Sequence, residues 1–423
     1  MGKRKNRLHG VWSGSRLSLP FPDMRFFTSL RPAFLALALT SSAIANAEDG
    51  FVPMFQPNSL DGWVNANCAP ETWSIKDGVI ACTGKPTGAL RTAKQYENFV
   101  LEAEWRHLSS GGNSGIFIWG TPISAPGVPF LRGIEVQVLD HGYMKNADPT
   151  KPRWFTTHGD VFPIHGATMD PHGDHSGSRS FPSEERSKPS PEWNHYRIEA
   201  NNGRLTLAVN GKVVSGGDNC NYRKGYLALE SEGAPVEFRN VRIKELPSTN
   251  TPAELTAPAD QGWKPHYTGV DFRNWIVPAT GGSKWKNSDW QIQLLAGQTG
   301  SALWSEAEFG DCEIICDVNL PKDTDLSKPA AGLCVRGLSL PLVELGAGGK
   351  GAISLGADKI KAGRWYRIKA TLHGKTAKVL ITEAQENNPQ TFEATVDMNA
   401  KGRIGLADLT QAVGYANIFV RDL

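Results

Sequence analysis

Five of the ten histidines, His141, His158, His165, His172 and His175, fall within residues 141–192. A loop of that length without clear periodicity of its own usually builds or covers a site. Its centre, residues 157–167, sets His158, Asp160 and His165 among glycine and proline, giving a stiff loop with polar tips. Residues 170–175 carry Asp170, His172, Asp174 and His175, the residue types of a divalent-cation site without a recognised ligand spacing; a solvated polar loop is the plainer reading. Just upstream, residues 133–140 alternate. Period-two geometry puts Ile134, Val136 and Val138 on one face and Glu135 and Gln137 on the other. Two long polar side chains in an otherwise apolar strand are costly unless a ligand or partner uses them, or unless that face meets solvent. In residues 113–119 the same period separates Ile116 and Ile118 from Phe117 and Trp119. A tryptophan beside polar acceptors suits a sugar, although core packing is the commoner use of the residue.

The elements that must position these groups are strands. Glycine (44) and proline (27) are frequent, apolar runs at helical spacing are scarce, and segments of four to eight residues alternate between turn signals. Phe99-Val100-Leu101-Glu102-Ala103-Glu104-Trp105 is one such segment. Asn202-Gly203 and Asn210-Gly211 are tight-turn signals on either side of another. At 423 residues the chain is long enough for two domains, and a net charge of +2 gives no bulk attraction to nucleic acid or anionic membrane.

The chain repeats itself. Trp193-Asn194-His195-Tyr196-Arg197-Ile198 is echoed by Arg364-Trp365-Tyr366-Arg367-Ile368, Gly225-Tyr226-Leu227-Ala228-Leu229 by Gly402-Arg403-Ile404-Gly405-Leu406, and Phe238-Arg239-Asn240-Val241 by Tyr415-Ala416-Asn417-Ile418. The expected organisation is two β-sandwiches in tandem, residues 50–247 and 260–423, joined by a Pro/Thr/Ala/Ser-rich linker at 248–259. The second copy lacks the insertion at 141–192 and most of the polar groups, so chemistry is expected in the first.

Residues 1–47 read as an export signal. Arg25 and Arg31 flank the start, Ala33 to Leu39 are apolar, and Ala45-Asn46-Ala47 is a small-x-small cleavage site. Met24 is the expected initiator, with residues 1–23 an over-extended gene start. The apolar run is too short for a bilayer of about 30 Å, so a protein exported to the periplasm or beyond, without membrane insertion, is expected. Cys68, Cys82, Cys220, Cys312, Cys316 and Cys334 show no zinc spacing and read as small buried hydrophobes or one or two bridges.

Asp61-Gly62-Trp63, Trp73-Ser74-Ile75-Lys76-Asp77-Gly78, Gly112-Asn113-Ser114-Gly115, Gly133-Ile134-Glu135-Val136-Gln137, Glu192-Trp193-Asn194 and Phe238-Arg239-Asn240-Val241 occur in this order. In this the chain resembles the 3-keto-disaccharide hydrolase domain family, over nearly all of the first copy and, weakened, over the second. One departure stands out. Where many members carry Gln-Asp-His-Gly, this chain has Leu229-Glu230-Ser231-Glu232-Gly233.

The resemblance implies an all-β fold, two concanavalin-like jelly-roll sandwiches, and cleavage of glycosides oxidised to a ketone at carbon 3. A 3-keto group acidifies the carbon-2 hydrogen, so a base can form an enolate that expels the carbon-1 substituent before water adds back. Such a site needs a base, an acid and positive charge at the ketone oxygen. Glu135 and His158 are the expected base and acid, with His165 beside them. Asn113, Gln137 and Asn194 are expected to hold the sugar, Arg179 the enolate oxygen, and Trp119 or Trp154 to stack on the ring. The resemblance fixes no cofactor and leaves the need for a metal open; a divalent cation is what Asp140 and Asp160 could hold. The competing class is a lectin-like sandwich that binds carbohydrate without chemistry. An ordinary endo-glycosidase expects two carboxylates on one strand face, and Gln137 stands in the second place.

Overall fold

The computed structural model describes residues 50–279, 284–297, 300–384, 386 and 388–423. Residues 1–47, read above as an export signal, lie outside them. Among the described residues the only helices are short 3-10 turns, and no helix is long and apolar enough to cross a membrane.

Two sandwiches follow one another. In the first, Phe99–His107, Asn194–Asn201, Arg204–Val209, Lys212–Asn221 and Val236–Glu245 make the body of one sheet. The other sheet runs Val161–Ile164, Gly133–Leu139, Asn113–Gly120, Tyr226–Ser231, Gly88–Thr92, Trp63–Asn65. These ladders are antiparallel, and the alternating apolar residues meet between the sheets. Phe99, Leu101, Trp105, Ile116, Ile118, Val136, Val138, Ile198, Leu207 and Phe238 are buried in one core there. The hairpins form where the sequence asks for them: Asn202-Gly203 and Asn210-Gly211 both take positive φ at each residue, as a tight right-twisted hairpin requires.

The second sandwich repeats the order strand for strand. Cys312–Leu320, Arg364–His373, Thr376–Glu383 and Val413–Asp422 stand where the first has Phe99–His107, Asn194–Asn201, Arg204–Val209 and Val236–Glu245. In its other sheet Leu303–Phe309, Gly402–Leu406, Ala331–Val335 and Val343–Leu345 run side by side. One strand pairing departs from the antiparallel rule: Val343–Leu345 runs parallel to Ile353–Leu355. Cys312 and Cys316 face the second core, and all six cysteines are free and buried.

Residues 248–259 do not hang free. The carboxylate of Glu97 accepts from Ser248, Thr249 and Thr251, and the Gln95 side chain donates to the carbonyls of Ala257 and Pro258. The second sandwich also grips the loop Ser124–Val128 of the first. Asp317, wholly buried, accepts from Arg367, from Asn417 and from the backbone N–H of Gly127. Arg367 in turn donates to the carbonyl of Ser124. A buried carboxylate with this many donors costs about 3–5 kcal/mol to break on one side.

Candidate active site

On the face of the Gly133–Leu139 sheet that points away from the core, register places polar groups in a row. Gln137 pairs with Gly115, and Glu135 with Phe117, across one neighbouring strand. On the far side of that strand Leu229 pairs with Ile116, so Glu230 comes level with Gly115. Gly115 is the floor. A Cβ there would lie 2.9 Å from Glu230 Oε2 and 3.0 Å from Glu135 Oε1, so those two oxygens lie within about 6 Å of one another. Only a glycine lets both carboxyls fold over the strand.

Glu232 completes the group. It follows Glu230 at the same parity, bridges to Asn113, and accepts a 2.5 Å hydrogen bond from the Asn113 amide. Aligned on Gly233, it takes the position of the histidine in the Gln-Asp-His-Gly pattern. Asn113 also accepts from the Gln137 amide at 2.9 Å. Arg179 donates to Gln137 Oε1 at 2.5 Å and to Asp160 at 2.7 Å, and its guanidinium lies over the ring of Phe162. Asp160 is itself buried and held by the N–H and hydroxyl of Thr156.

Three carboxyls this close and this dry cannot all ionise at neutral pH. Burial, then the charge of Glu232, pushes Glu135 up to about 8. Burial likewise raises Glu232 to about 7, against the help of its hydrogen bonds. Glu230 is the most enclosed, 1% exposed, and burial followed by the charges of Glu135 and Glu232 holds its pKa well above the usual carboxylate range. Its Oε2 has no hydrogen-bond partner. The cluster therefore ionises in steps near neutrality, with the half-buried Glu232 first.

The structure brings Glu135, Gln137, Asn113 and Arg179 together. Trp154, 59% exposed, stands with the Arg179 guanidinium 5.4 Å from its ring centre. The other expected residues go elsewhere. Trp119 is wholly buried in the core and donates to the carbonyl of Glu97. Its φ of +55° and the register shift opposite Tyr226–Ala228 break the two-residue period, so it lands beside Ile116 and Ile118 instead of beside Phe117. Asn194 is 1% exposed and spends its amide on both backbone groups of Lys188 and on Asn210. Asp140 accepts from the backbone N–H groups of Gly111, Gly142 and Ser190, which fixes the loop ends and holds its carboxyl below its ordinary value. Asp160 is engaged by Arg179, so these two aspartates form no joint cation site. His165 stacks on Phe130 and lines a cleft of about 940 Å³ between the sandwiches, with Arg132, Tyr222 and Trp365. His158 faces His141 and Glu185. His172 pairs with Asp218, and Asp174 with Arg153, so residues 170–175 scatter to separate partners.

Sequence reading missed Glu230 and Glu232. The signal was present: they alternate with Leu229 and Ser231 as Glu135 and Gln137 alternate with valines. Only the sheet puts the two pairs on one face.

Residues 50–244 match the 3-keto-alpha-glucoside-1,2-lyase-like domain family. The chain is similar to a 3-keto-disaccharide hydrolase of Bacteroides thetaiotaomicron, 24% identical over 251 residues that cover 47% of this chain and 79% of that protein. Among solved structures, a glycosyl hydrolase candidate from Parabacteroides distasonis aligns with 22% identity and a TM-score of 0.34, covering 46% of this chain and 99% of its own. A carbohydrate-binding module from Bacillus subtilis aligns with 13% identity and a TM-score of 0.31, covering 44% of this chain and 96% of its own. The first sandwich, which holds the carboxyl cluster, thus belongs to the 3-keto-alpha-glucoside-1,2-lyase-like domain family.

Proposed function

We propose that the protein is an exported glycoside-cleaving enzyme whose substrates are 3-keto-glycosides, acting by elimination and hydration with net hydrolysis. The observation that carries this reading is the Glu135–Glu230–Glu232 cluster beside Arg179, in which burial, joined at Glu135 by the charge of Glu232, sets two pKa values at about 7 and about 8. Proton transfer is most efficient when the catalytic pKa lies near the working pH.

Glu232, the first to ionise, takes the proton from carbon 2 of the sugar. The C–H electrons form the carbon 2–carbon 3 double bond, and the ketone oxygen becomes the enolate oxygen. Arg179 is held by Asp160 and Gln137 to meet that charge. When the ketone re-forms, a double bond develops between carbons 1 and 2 and the bond from carbon 1 to the aglycone oxygen breaks. Glu135, still protonated, donates to that oxygen. Water then adds its hydroxyl to carbon 1 and its hydrogen to carbon 2. Glu230 keeps its proton and positions the other two. His158 has no part in these steps, because its ring is directed at His141 and Glu185.

The bound of about 6 Å between Glu135 and Glu230 oxygens is compatible with a second reading, ordinary retaining hydrolysis, whose carboxyls stand about 5–5.5 Å apart. That chemistry needs one carboxylate ionised and open to carbon 1. Glu230 is enclosed and protonated. The test is turnover of a 3-keto-glucoside against the same unoxidised glucoside. Release of aglycone from the keto sugar alone, lost in Glu232→Gln, is expected. Release from the unoxidised sugar overturns the reading, and retention of either sugar without release makes the protein a lectin.

A further inference from the structure

The insertion between Gly133–Leu139 and Asn194–Asn201 carries a second cluster, formed by His141, His158 and Glu185. It comes from three segments: the 3-10 turn His141–Asn146, the loop at 147–160 and the loop at 181–193. The three side chains offer ligand atoms that lie within 4.8 Å of one another. They open on a hollow of about 260 Å³ lined also by Met144, Arg153 and Phe155.

Ser187 sets the proton positions. Its hydroxyl donates to the carbonyl of Thr157 at 3.0 Å, which uses its one hydrogen. His141 Nε2, at 2.8 Å, must therefore donate to it, and His158 Nδ1, nearer to it at 3.3 Å than to the Thr157 hydroxyl at 3.4 Å, donates to it as well. In a neutral imidazole one nitrogen donates and the other bears a lone pair. The lone pairs thus fall on His141 Nδ1 and His158 Nε2. These are the two atoms that face Glu185, at 3.9 Å from Oε1 and 3.6 Å from Oε2. Two lone pairs and a carboxylate converge on one point with no hydrogen between them. That arrangement lacks only a cation at its centre. A metal-binding histidine usually donates its other ring N–H to an outer acceptor, and the Ser187 hydroxyl is that acceptor for both rings.

We propose that His141, His158 and Glu185 bind one divalent transition cation, with Zn²⁺ the ion this donor set suits best. Two imidazoles select against Mg²⁺ and Ca²⁺, which prefer an all-oxygen shell. Bonds of about 2.0–2.1 Å in a tetrahedron put ligand atoms roughly 3.3 Å apart, so side-chain atoms now within 4.8 Å of one another need to close by up to about 1.5 Å. The Glu185 side chain, 61% exposed, is free to make that movement. The fourth position opens to the hollow. The ion ties together three segments of the insertion, one of which ends in the Thr156–Asp160–Arg179 chain, so its effect is first on the order of that loop.

The test uses the full exported chain, stripped with a chelator and titrated with Co²⁺, followed by its visible d–d bands and by metal analysis after Zn²⁺ loading. One equivalent per chain with a tetrahedral cobalt spectrum is expected, together with a higher melting temperature. His141→Ala and His158→Ala should abolish the bands, and His175→Ala should leave them intact. Ser187→Ala keeps all three ligands and should weaken affinity roughly 10–100-fold; it carries the test if a histidine variant fails to fold. Absence of stoichiometric binding to the wild type, or binding that survives the double histidine variant, overturns the site and leaves a histidine–glutamate ion pair.

Discussion

The two sandwiches share one strand order and differ in what lies over the same strands. In the first, Gly115 sits beneath Glu135 and Glu230, and carboxyl oxygens occupy the space a side chain would fill. In the second, Gly332 on the corresponding strand lies beneath Pro341 and Ala407, and Gly405 beneath the ring of Trp304. One carboxylate survives there, Glu344, and it accepts the backbone N–H of Gly351 at 2.6 Å. A glycine in a strand invites something to approach the backbone closely. Carboxyls in that place form a buried cluster that titrates near neutrality, whereas proline and indole make a packed surface. The fold is common property; the chemistry is set by the cover.

This contrast can be broken most sharply at the carboxyls. Glu232→Gln and Glu135→Gln should each lower kcat/KM on a 3-keto-glucoside by about 10²–10⁴-fold, the usual worth of a positioned acid or base. Glu344→Gln in the second sandwich should leave turnover unchanged. If the three variants fall together, the division of labour between the sandwiches is wrong.

The docking of the two sandwiches comes next. Asp317→Ala strips Arg367, Asn417 and the Gly127 N–H of their shared acceptor and should cost about 3–5 kcal/mol of stability. Denaturant unfolding followed in both sandwiches shows whether they then separate into two transitions. A single unshifted transition would mean that the contact contributes nothing.

Gly115→Ala tests the floor itself. Its Cβ must displace Glu230 and Glu135, and a shift of that kind costs on the order of 10²-fold in rate. Gly332→Ala meets Pro341 and Ala407 at 3.0–3.1 Å and should not touch turnover. Steady-state assays on the purified variants decide it.

The smallest effect is the dependence of stability on pH. Glu135 and Glu232 titrate higher when folded than the ordinary value of 4.5. The folded state therefore binds more protons than the unfolded state above about pH 4.5. Their contribution to stability is full below that pH and declines as pH rises towards 7–8. Melting curves should show this decline in the wild type and a flatter profile in Glu135→Gln. On the proposed mechanism, with Glu232 ionised as base and Glu135 protonated as acid, activity should peak between those two values.

Much of this was legible in residue order. Alternation exposed the strands, and the echo of Tyr196-Arg197-Ile198 in Tyr366-Arg367-Ile368 exposed the repeat, because a sheet side chain reports its face at every second position. Glu135 and Gln137 were visible for the same reason, whereas Asn113 was visible only through the Gly112-Asn113-Ser114-Gly115 motif and the resemblance it carries. Trp119 misled because a bulge shifts the period by one residue, and no neighbouring residue announces that shift. Asn194 and Asp140 misled because a polar side chain looks the same whether it meets a ligand or a backbone N–H.

What the sequence determined by itself is therefore the period: which residues alternate, where the turns fall, and that one half carries the polar groups the other has lost. The tertiary structure alone decided the partners. Glu230 and Glu232 reach Glu135 only through the pairing of Asn113–Gly120 with strands on both sides of it. Their proton affinities arise from that meeting, since desolvation and like-charge repulsion depend on distance through space.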